Sequence, residues 1–376
     1  MVNEFSVDML TKESNQIDIL LQKCSEVLTT DRKPIVLFGS GFIGRYYLDL
    51  IKKMDMVVEV YFCDNNPNKW GTSIDDVLVI SFDELKNNYR SSYIIITSLQ
   101  FYDEIRLQLK ENNLKILLDE SIYSVITDDY DVLQVYKDYH KLICENIEKF
   151  STIYNLLSDD YSKRLFCDRL NYIISANSRY ITPLRSKSPQ YFEPEIISLS
   201  NEEIFIDGGG YIGDTVQEFI KQTNEQYTKV YSFEPEESKH WIFLKNFSST
   251  NKIKLVPYGL WDKKEEINFS SRDDMASGIS ETGNTIIPVT SIDEFLGGDP
   301  VTFIKMDIEG AEFKALKGAE KTIRKYKPKL AICVYHKPLD IVEIPMYLKE
   351  LVPEYKFYLR HYNYGLTETV CYAVVE

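Results

Sequence analysis

The sequence predicts an α/β protein with two mostly parallel sheets, and three observations predict it. Twice, a short apolar run enters a glycine-rich loop, an amphipathic stretch follows, and a second apolar run ends in an acid. In the first unit Ile35-Val36-Leu37-Phe38 leads into Gly39-Ser40-Gly41-Phe42-Ile43-Gly44 and then to Asp64; in the second Ile204-Phe205-Ile206 leads into Asp207-Gly208-Gly209-Gly210-Tyr211-Ile212-Gly213-Asp214-Thr215 and then to Glu234. Further near-continuous apolar runs of strand length alternate with helical periods, as a parallel sheet covered on both faces requires. Residues 355–360 and 370–375 are two β-rich runs around the turn-like Tyr362-Asn363-Tyr364-Gly365, which predicts an antiparallel pair closing the second sheet.

In chain order, residues 1–30 read as a polar-to-amphipathic helical lead-in with Ile17, Ile19, Leu20, Leu21 and Val27 as its apolar positions. Strand-like runs at 77–80, 93–97 and 115–118 complete a first α/β unit, giving a domain over 1–125. The period then becomes helical through Val132, Tyr136, Tyr139, Ile143, Ile147 and Phe150, and a second helix carries Leu165, Phe166, Leu170 and Ile174. These predict a helical connector over 126–195 whose apolar stripe packs against a core, with a homo-oligomeric contact as the other use of such a stripe. Ser186 to Pro194, with paired aromatics at Tyr191-Phe192, reads as a loop. Strands at 204–207, 230–234, 254–257, 301–307 and 330–335 define a third unit over 196–376.

A length of 376 residues suits two or three domains, each able to bury a core. The net charge of −15 argues against a nucleic acid or an anionic membrane as partner, because such binding relies on Lys and Arg neutralising phosphate. Cys24, Cys63, Cys144, Cys167, Cys333 and Cys371 have no paired spacing and read as free thiols of a reducing compartment. Residues 1–16 lack a secretory pattern, and no apolar run approaches the roughly 18 residues of a membrane span. The expectation is a soluble, cytoplasmic protein without a membrane span.

The two glycine loops differ in charge. A loop of this kind at a helix start offers backbone N–H groups to an anion. The first loop suits that use: Gly39, Gly41 and Gly44 enclose no acid, and Asp64, about 20 residues on, is placed for a ribose hydroxyl. A dinucleotide, a sugar nucleotide or no ligand at all satisfies these features. The second loop sets Asp207 before the glycines and Asp214 after them, so that a pyrophosphate would meet like charge while a cationic ligand would be favoured. S-adenosylmethionine carries an ammonium, a sulfonium and a ribose diol for Glu234. Asp214 also reads as a helix cap.

Downstream, Asp307 and Glu309 follow the strand Phe303-Ile304-Lys305-Met306, and His336 ends the strand after it. All three fall at the carboxyl edge, where open α/β sheets bind ligands. Methyl transfer needs an acceptor oxygen in line with the sulfonium methyl and a base for its proton. Asp307, Glu309 and His336 are the candidate bases. The same trio would also suit a divalent metal, although no metal is required. His361 reads as packing beside the terminal strands, with the acceptor pocket as its other possible place.

The run 207–215, then Phe233-Glu234-Pro235, Val289-Thr290-Ser291-Ile292-Asp293-Glu294-Phe295, Ile304-Lys305-Met306-Asp307-Ile308-Glu309-Gly310-Ala311-Glu312 and Leu316-Lys317-Gly318-Ala319 closely resembles the FkbM-type S-adenosylmethionine-dependent methyltransferases, over about residues 190–376. The resemblance implies a Rossmann-like methyltransferase domain in which residues 207–215 hold the methionine side of the cofactor. It further implies that Glu234, with Pro235 beside it, holds the ribose, that Tyr258, Gly259 and Leu260 approach the adenine, and that Asp307 and Glu309 flank the methyl. It implies O-methylation of a small-molecule or glycan hydroxyl. Gly210 stands where the family more often has Ala, a sterically mild departure. Residues 32–120 resemble the Rossmann-like amino-terminal domain of sugar-modifying acyltransferases through Phe38-Gly39-Ser40-Gly41 and Cys63-Asp64-Asn65-Asn66-Pro67-Asn68-Lys69-Trp70-Gly71, which implies nucleotide-sugar binding. The alternatives are an NAD(P)-dependent sugar-nucleotide oxidoreductase or epimerase working through the first loop, and a non-catalytic nucleotide-sugar-binding module.

Overall fold

A computed structural model describes residues 5–13, 33–53, 58–98, 101–118, 138–175, 179–248, 250–270, 278–279, 285–363 and 365–375. Most of the lead-in helix expected before residue 30, the start of the connector's apolar stripe and Tyr364 of the terminal turn lie outside the described residues.

The first α/β unit comprises β1 (Ile35–Phe38), α1 (Phe42–Lys53), β2 (Val60–Cys63), β3 (Ser73–Ile74), β4 (Val77–Ile80), α2 (Phe82–Asn88), β5 (Tyr93–Ile96), α3 (Tyr102–Glu111) and β6 (Ile116–Leu118). Its strands lie in the order β3-β4-β2-β1-β5-β6, parallel except for the β3–β4 pair. β1 and β5 are buried throughout, which explains runs without polar alternation. α2 starts at a capping box in which the Ser81 hydroxyl accepts from the Glu84 N–H while Glu84 accepts from the Ser81 N–H.

The connector contributes α4 (Tyr139–Glu145), α5 (Ile147–Leu156) and α6 (Asp160–Ser175). Phe150, Phe166 and Leu170 share one apolar core with Ile304, Met306 and Leu330 of the carboxy-terminal sheet. The connector is also tied to that sheet through its edge. The Ser158 N–H donates to the Phe357 carbonyl at 2.9 Å, the Ser186 N–H donates to the His361 carbonyl at 2.7 Å, and Arg360 pairs with Asp159 at 2.9 Å.

The carboxy-terminal unit contains β7 (Ile204–Gly208), α7 (Asp214–Gln222), β8 (Lys229–Phe233), α8 (Glu237–Phe247), β9 (Ile253–Val256), β10 (Gly259–Leu260), β11 (Glu265–Ser270), β12 (Gly278–Ile279), β13 (Thr285–Thr290) and α9 (Ile292–Leu296), followed by β14 (Phe303–Met306), α10 (Glu312–Lys317), α11 (Glu320–Tyr326), β15 (Lys329–Cys333), α12 (Asp340–Leu351), β16 (Lys356–His361) and β17 (Thr369–Val374). Seven strands form the sheet β16-β17-β15-β14-β7-β8-β9, parallel except that β17 runs against both neighbours. The terminal antiparallel pair expected from the sequence is therefore present. Four further strands, in the order β10-β13-β11-β12, form a small sheet beside it.

From β7 the chain winds outward through β8 and β9, then returns to β14 on the other side of β7. Such a reversal opens a crevice at the strands' carboxyl ends, the usual ligand position in an open α/β sheet. Gly208 ends β7 and Asp307 follows β14, so both lie at that reversal. Among the described residues no helix is long and apolar enough to cross a membrane.

Candidate active site

The floor of the crevice is a buried ion pair. Asp207 is wholly buried and its Oδ1 lies 3.0 Å from Nζ of Lys305, which is only 2 % exposed. The Ser232 hydroxyl donates to Asp207 Oδ2 at 2.8 Å, and Lys305 also donates to the Gly208 and Gly209 carbonyls, each at 2.9 Å. Burial alone would lower the lysine's pKa, but the adjacent Asp207 carboxylate holds it above its ordinary value. The expectation that Asp207 presents its charge to a ligand is thus corrected. Lys305 neutralises it, and the pair serves to pin the glycine loop to β14.

Two glycines make this packing possible. Gly209 has φ +79°, and a Cβ there would lie 1.9 Å from the Asp307 carbonyl oxygen. At Gly210 a Cβ would lie 2.1 Å from the Ser232 hydroxyl that Asp207 holds in place. The exchange of Gly210 for Ala is therefore not mild in this chain. Gly210→Ala is expected to destabilise by about 1–3 kcal/mol through overpacking. In a Ser232→Ala background most of that added loss should disappear, and urea unfolding of the four variants would show additive losses if the two positions were uncoupled.

The other loop residues lie where β7 turns into α7. Gly213, with φ +89°, is the N-cap, and Asp214 is an exposed residue of the first turn, so the side-chain cap expected of Asp214 is not formed. Tyr211 is 42 % exposed, and Ile212 and Thr215 are half-buried. Glu234 follows β8; its carboxylate accepts from the Tyr211 N–H and the Glu236 N–H, both at 2.8 Å, and its carbonyl meets His240 Nε2 at 2.8 Å. Burial raises the Glu234 pKa to about 7 against the pull of those two N–H groups. Each oxygen keeps a lone pair for a hydroxyl donor. Beyond Pro235, Tyr258 borders a cleft of about 340 Å³ that Pro257, Thr290, Phe295 and two lysines, Lys254 and Lys264, also line. Gly259 and Leu260 form β10, with Leu260 buried against Gly208.

The acids after β14 and the histidine after β15 converge. His336 Nε2 lies 3.6 Å from Asp307 Oδ1 and 3.3 Å from Glu309 Oε2, while Nδ1 lies 3.0 Å from Glu312 Oε1. Asp307 Oδ2 accepts from the Tyr191 hydroxyl at 2.7 Å, and Oδ1 accepts from the Tyr335 hydroxyl at 3.0 Å. Burial raises the Asp307 pKa, but His336, Lys305 and the two phenols bring it below the ordinary carboxylate value. Glu309 is the most open of the three acids, with 41 % side-chain exposure, and burial raises its pKa against the pull of His336. His336 would be pushed down by burial; the carboxylates of Glu312, Glu309 and Asp307 instead hold it well above its usual value. Glu309 and Gly310 both have positive φ, +54° and +86°, which turns the chain back over the strand ends.

Asp307, Glu309 and His336 are thus brought together, with four partners to which the sequence assigns no role: Lys305, Glu312, Tyr191 and Tyr335. Lys305 had a visible signal, a charge inside an otherwise apolar strand; Tyr191 is a loop residue and had none. Among the described residues the side chains able to share a metal are Asp307, Glu312 and His336, a set in which Glu312 stands in place of Glu309. His361 is fully buried beside Thr369, at 2.9 Å, in the terminal strand pair.

In the first unit Gly39 and Gly41 lie in the turn from β1 into α1, and Gly44 lies in the first turn of α1. Asp64 accepts from the Ser40 hydroxyl at 2.6 Å and the Asn66 N–H at 2.9 Å, and pairs with Lys69 at 2.8 Å. The carboxylate expected to await a ribose is already engaged by Ser40 of the glycine loop and by Asn66 and Lys69.

Residues 207–365 match the model of the methyltransferase FkbM domain, and residues 31–122 match that of the C2185-like N-terminal domain. Among solved structures, methyltransferase FkbM from Methylobacillus flagellatus KT is similar over 95 % of this chain and 98 % of that one, at 23 % identity and a TM-score of 0.59, which shows a common fold. An rRNA methylase from Streptococcus thermophilus covers 47 % of this chain and 90 % of its own at 16 % identity and a TM-score of 0.32. Aeropyrum pernix fibrillarin, solved with natively bound S-adenosyl-L-methionine, covers 48 % and 70 % at 11 % identity and a TM-score of 0.32. Comparison with curated proteins finds no match.

Proposed function

Given that residues 207–365 are an FkbM methyltransferase domain, we propose that the chain transfers a methyl group from S-adenosylmethionine to a hydroxyl of a carbohydrate or glycan precursor. The observation that carries this reading is the convergence of Asp307, Glu309 and His336 on the crevice beside the Gly208–Gly210 loop. When bound, S-adenosylmethionine supplies a methyl carbon activated by a sulfonium. The residues suit it: Glu234 retains acceptor capacity for a ribose diol, and the acid cluster favours a cation.

With both oxygens held by phenols, Asp307 is a fixed anion. Glu309, more open and more basic, takes the proton as the acceptor oxygen bonds to the methyl carbon and the carbon–sulfur bond breaks. His336 holds Glu309 in place. With the proton on Glu309, the products would be a methyl ether and S-adenosylhomocysteine, whose sulfur would retain the bonding pair. Incubation with labelled methyl donor and a panel of neutral sugars and glycans tests the reading. Label in an ether supports it; label only on nitrogen or carbon acceptors contradicts the oxygen assignment.

The protonation of Glu234 sets a pH dependence. Its folded pKa, about 7, exceeds the ordinary 4.5, so its contribution to stability is present below about 4.5 and is lost as pH rises through about 7. A ribose diol donates to the ionised form, so binding should change in the opposite sense. The affinity for S-adenosylhomocysteine is expected to rise about tenfold between about pH 6 and pH 8. Titrations across that range on the intact chain and on Glu234→Gln should give a slope only for the former.

A further inference from the structure

The Ser186–Pro194 loop precedes the matched methyltransferase domain, yet it enters the site. Tyr191 has φ +71°, a conformation disfavoured for a bulky non-glycine residue. Three contacts hold it there. Its N–H donates to the Tyr372 hydroxyl at 3.1 Å, its ring lies 5.1 Å from the Lys305 ammonium, and its own hydroxyl donates to Asp307 Oδ2 at 2.7 Å. The loop is braced from behind. The Tyr372 and Tyr362 hydroxyls are 2.6 Å apart, Tyr362 donates to Glu193 at 3.1 Å, and Glu193 also accepts from the Ser186 and Ser188 hydroxyls at 2.9 and 2.8 Å.

We infer that Tyr191 is a positioning residue that aims the Asp307 carboxylate at the sulfonium end of the cofactor, so that the loop before the methyltransferase sheet completes the site. This inference rests on the cofactor reading above. Asp307 has two acceptor atoms, and Tyr335 holds the other. With one phenol on each oxygen the carboxylate plane cannot rotate, and its charge stays directed into the crevice. Tyr191 acts through Asp307, and its ring, 7 % exposed, fills the space beneath. Removing the hydroxyl alone therefore separates aiming from packing.

The test uses two ligands that differ in charge where the methyl is carried: S-adenosylhomocysteine, neutral at sulfur, and sinefungin, with an ammonium there. Both are titrated calorimetrically into the intact full-length chain, Tyr191→Phe, Asp307→Asn and the double variant. The intact chain should prefer sinefungin. Tyr191→Phe should narrow that preference by roughly 5- to 10-fold with less than about a twofold change for S-adenosylhomocysteine, the loss expected of one charge-assisted hydrogen bond. Asp307→Asn should abolish the preference, and adding Tyr191→Phe to it should change nothing further. Equal weakening of both ligands by Tyr191→Phe would overturn the inference in favour of packing, as would a preference unchanged in that variant. Failure of the intact chain to bind S-adenosylhomocysteine would instead reject the cofactor reading itself.

Discussion

Lys305→Met is expected to lose about 3–5 kcal/mol of stability and all cofactor binding, because it leaves a wholly buried Asp207 carboxylate without its counter-ion. The loss is large against the roughly 5–15 kcal/mol that holds a domain folded. It also frees the carbonyls of Gly208 and Gly209, which Lys305 ties to β14. Urea unfolding should show the shift in midpoint. Asp207→Asn in the same chain should recover part of it, since the uncompensated charge is then gone. A Lys305→Met protein as stable as the parent would mean that the pair is not formed.

Glu309→Gln is expected to lower the methyl-transfer rate by about 10²- to 10⁴-fold, the range for loss of a general base, while leaving the affinity for S-adenosylhomocysteine nearly unchanged. Asp307→Asn should also slow transfer, but through loss of a fixed charge, and should weaken the cationic donor more than its neutral product. Parallel rate and binding measurements distinguish the two roles. Near-parental turnover by Glu309→Gln would reject Glu309 as the proton acceptor, since His336, paired with Glu312 and Asp307, is held in its protonated form.

Much of the fold was legible because buried parallel strands leave unbroken apolar runs. β1 and β5 are buried along their whole length, and each is visible as such a run. The terminal hairpin was legible from its turn residues. The ion pair at the site floor was not. The lysine is about a hundred positions from the acid, and register alone brings them together: β14 pairs with β7 so that Lys305 stands beside Asp207. Alone, Asp207 reads as a charge facing a ligand; beside Lys305 it belongs to the packing of the loop.

The cost of the Gly210 departure is hidden in the sequence for a related reason. Its steric consequence depends on Ser232, a strand residue with no local link to the loop. Asp64 differs in that its partner Lys69 lies only five positions on, within a run already noted. The acid cluster was legible from strand ends, because the carboxyl edge is fixed by strand direction. Tyr191 escaped because loop geometry, including its positive φ, leaves no period in the sequence.

The crevice where β7, β8 and β14 end is expected to hold S-adenosylmethionine. Calorimetric titration of the full-length chain with S-adenosylhomocysteine, repeated on Glu234→Ala, tests it most directly. Asp207→Ala is a poor companion, since it would strand a buried lysine charge and perturb the fold. One site per chain with micromolar affinity is expected, weakened at least tenfold in Glu234→Ala while its thermal unfolding stays cooperative. A folded parent protein that takes up no S-adenosylhomocysteine would contradict it.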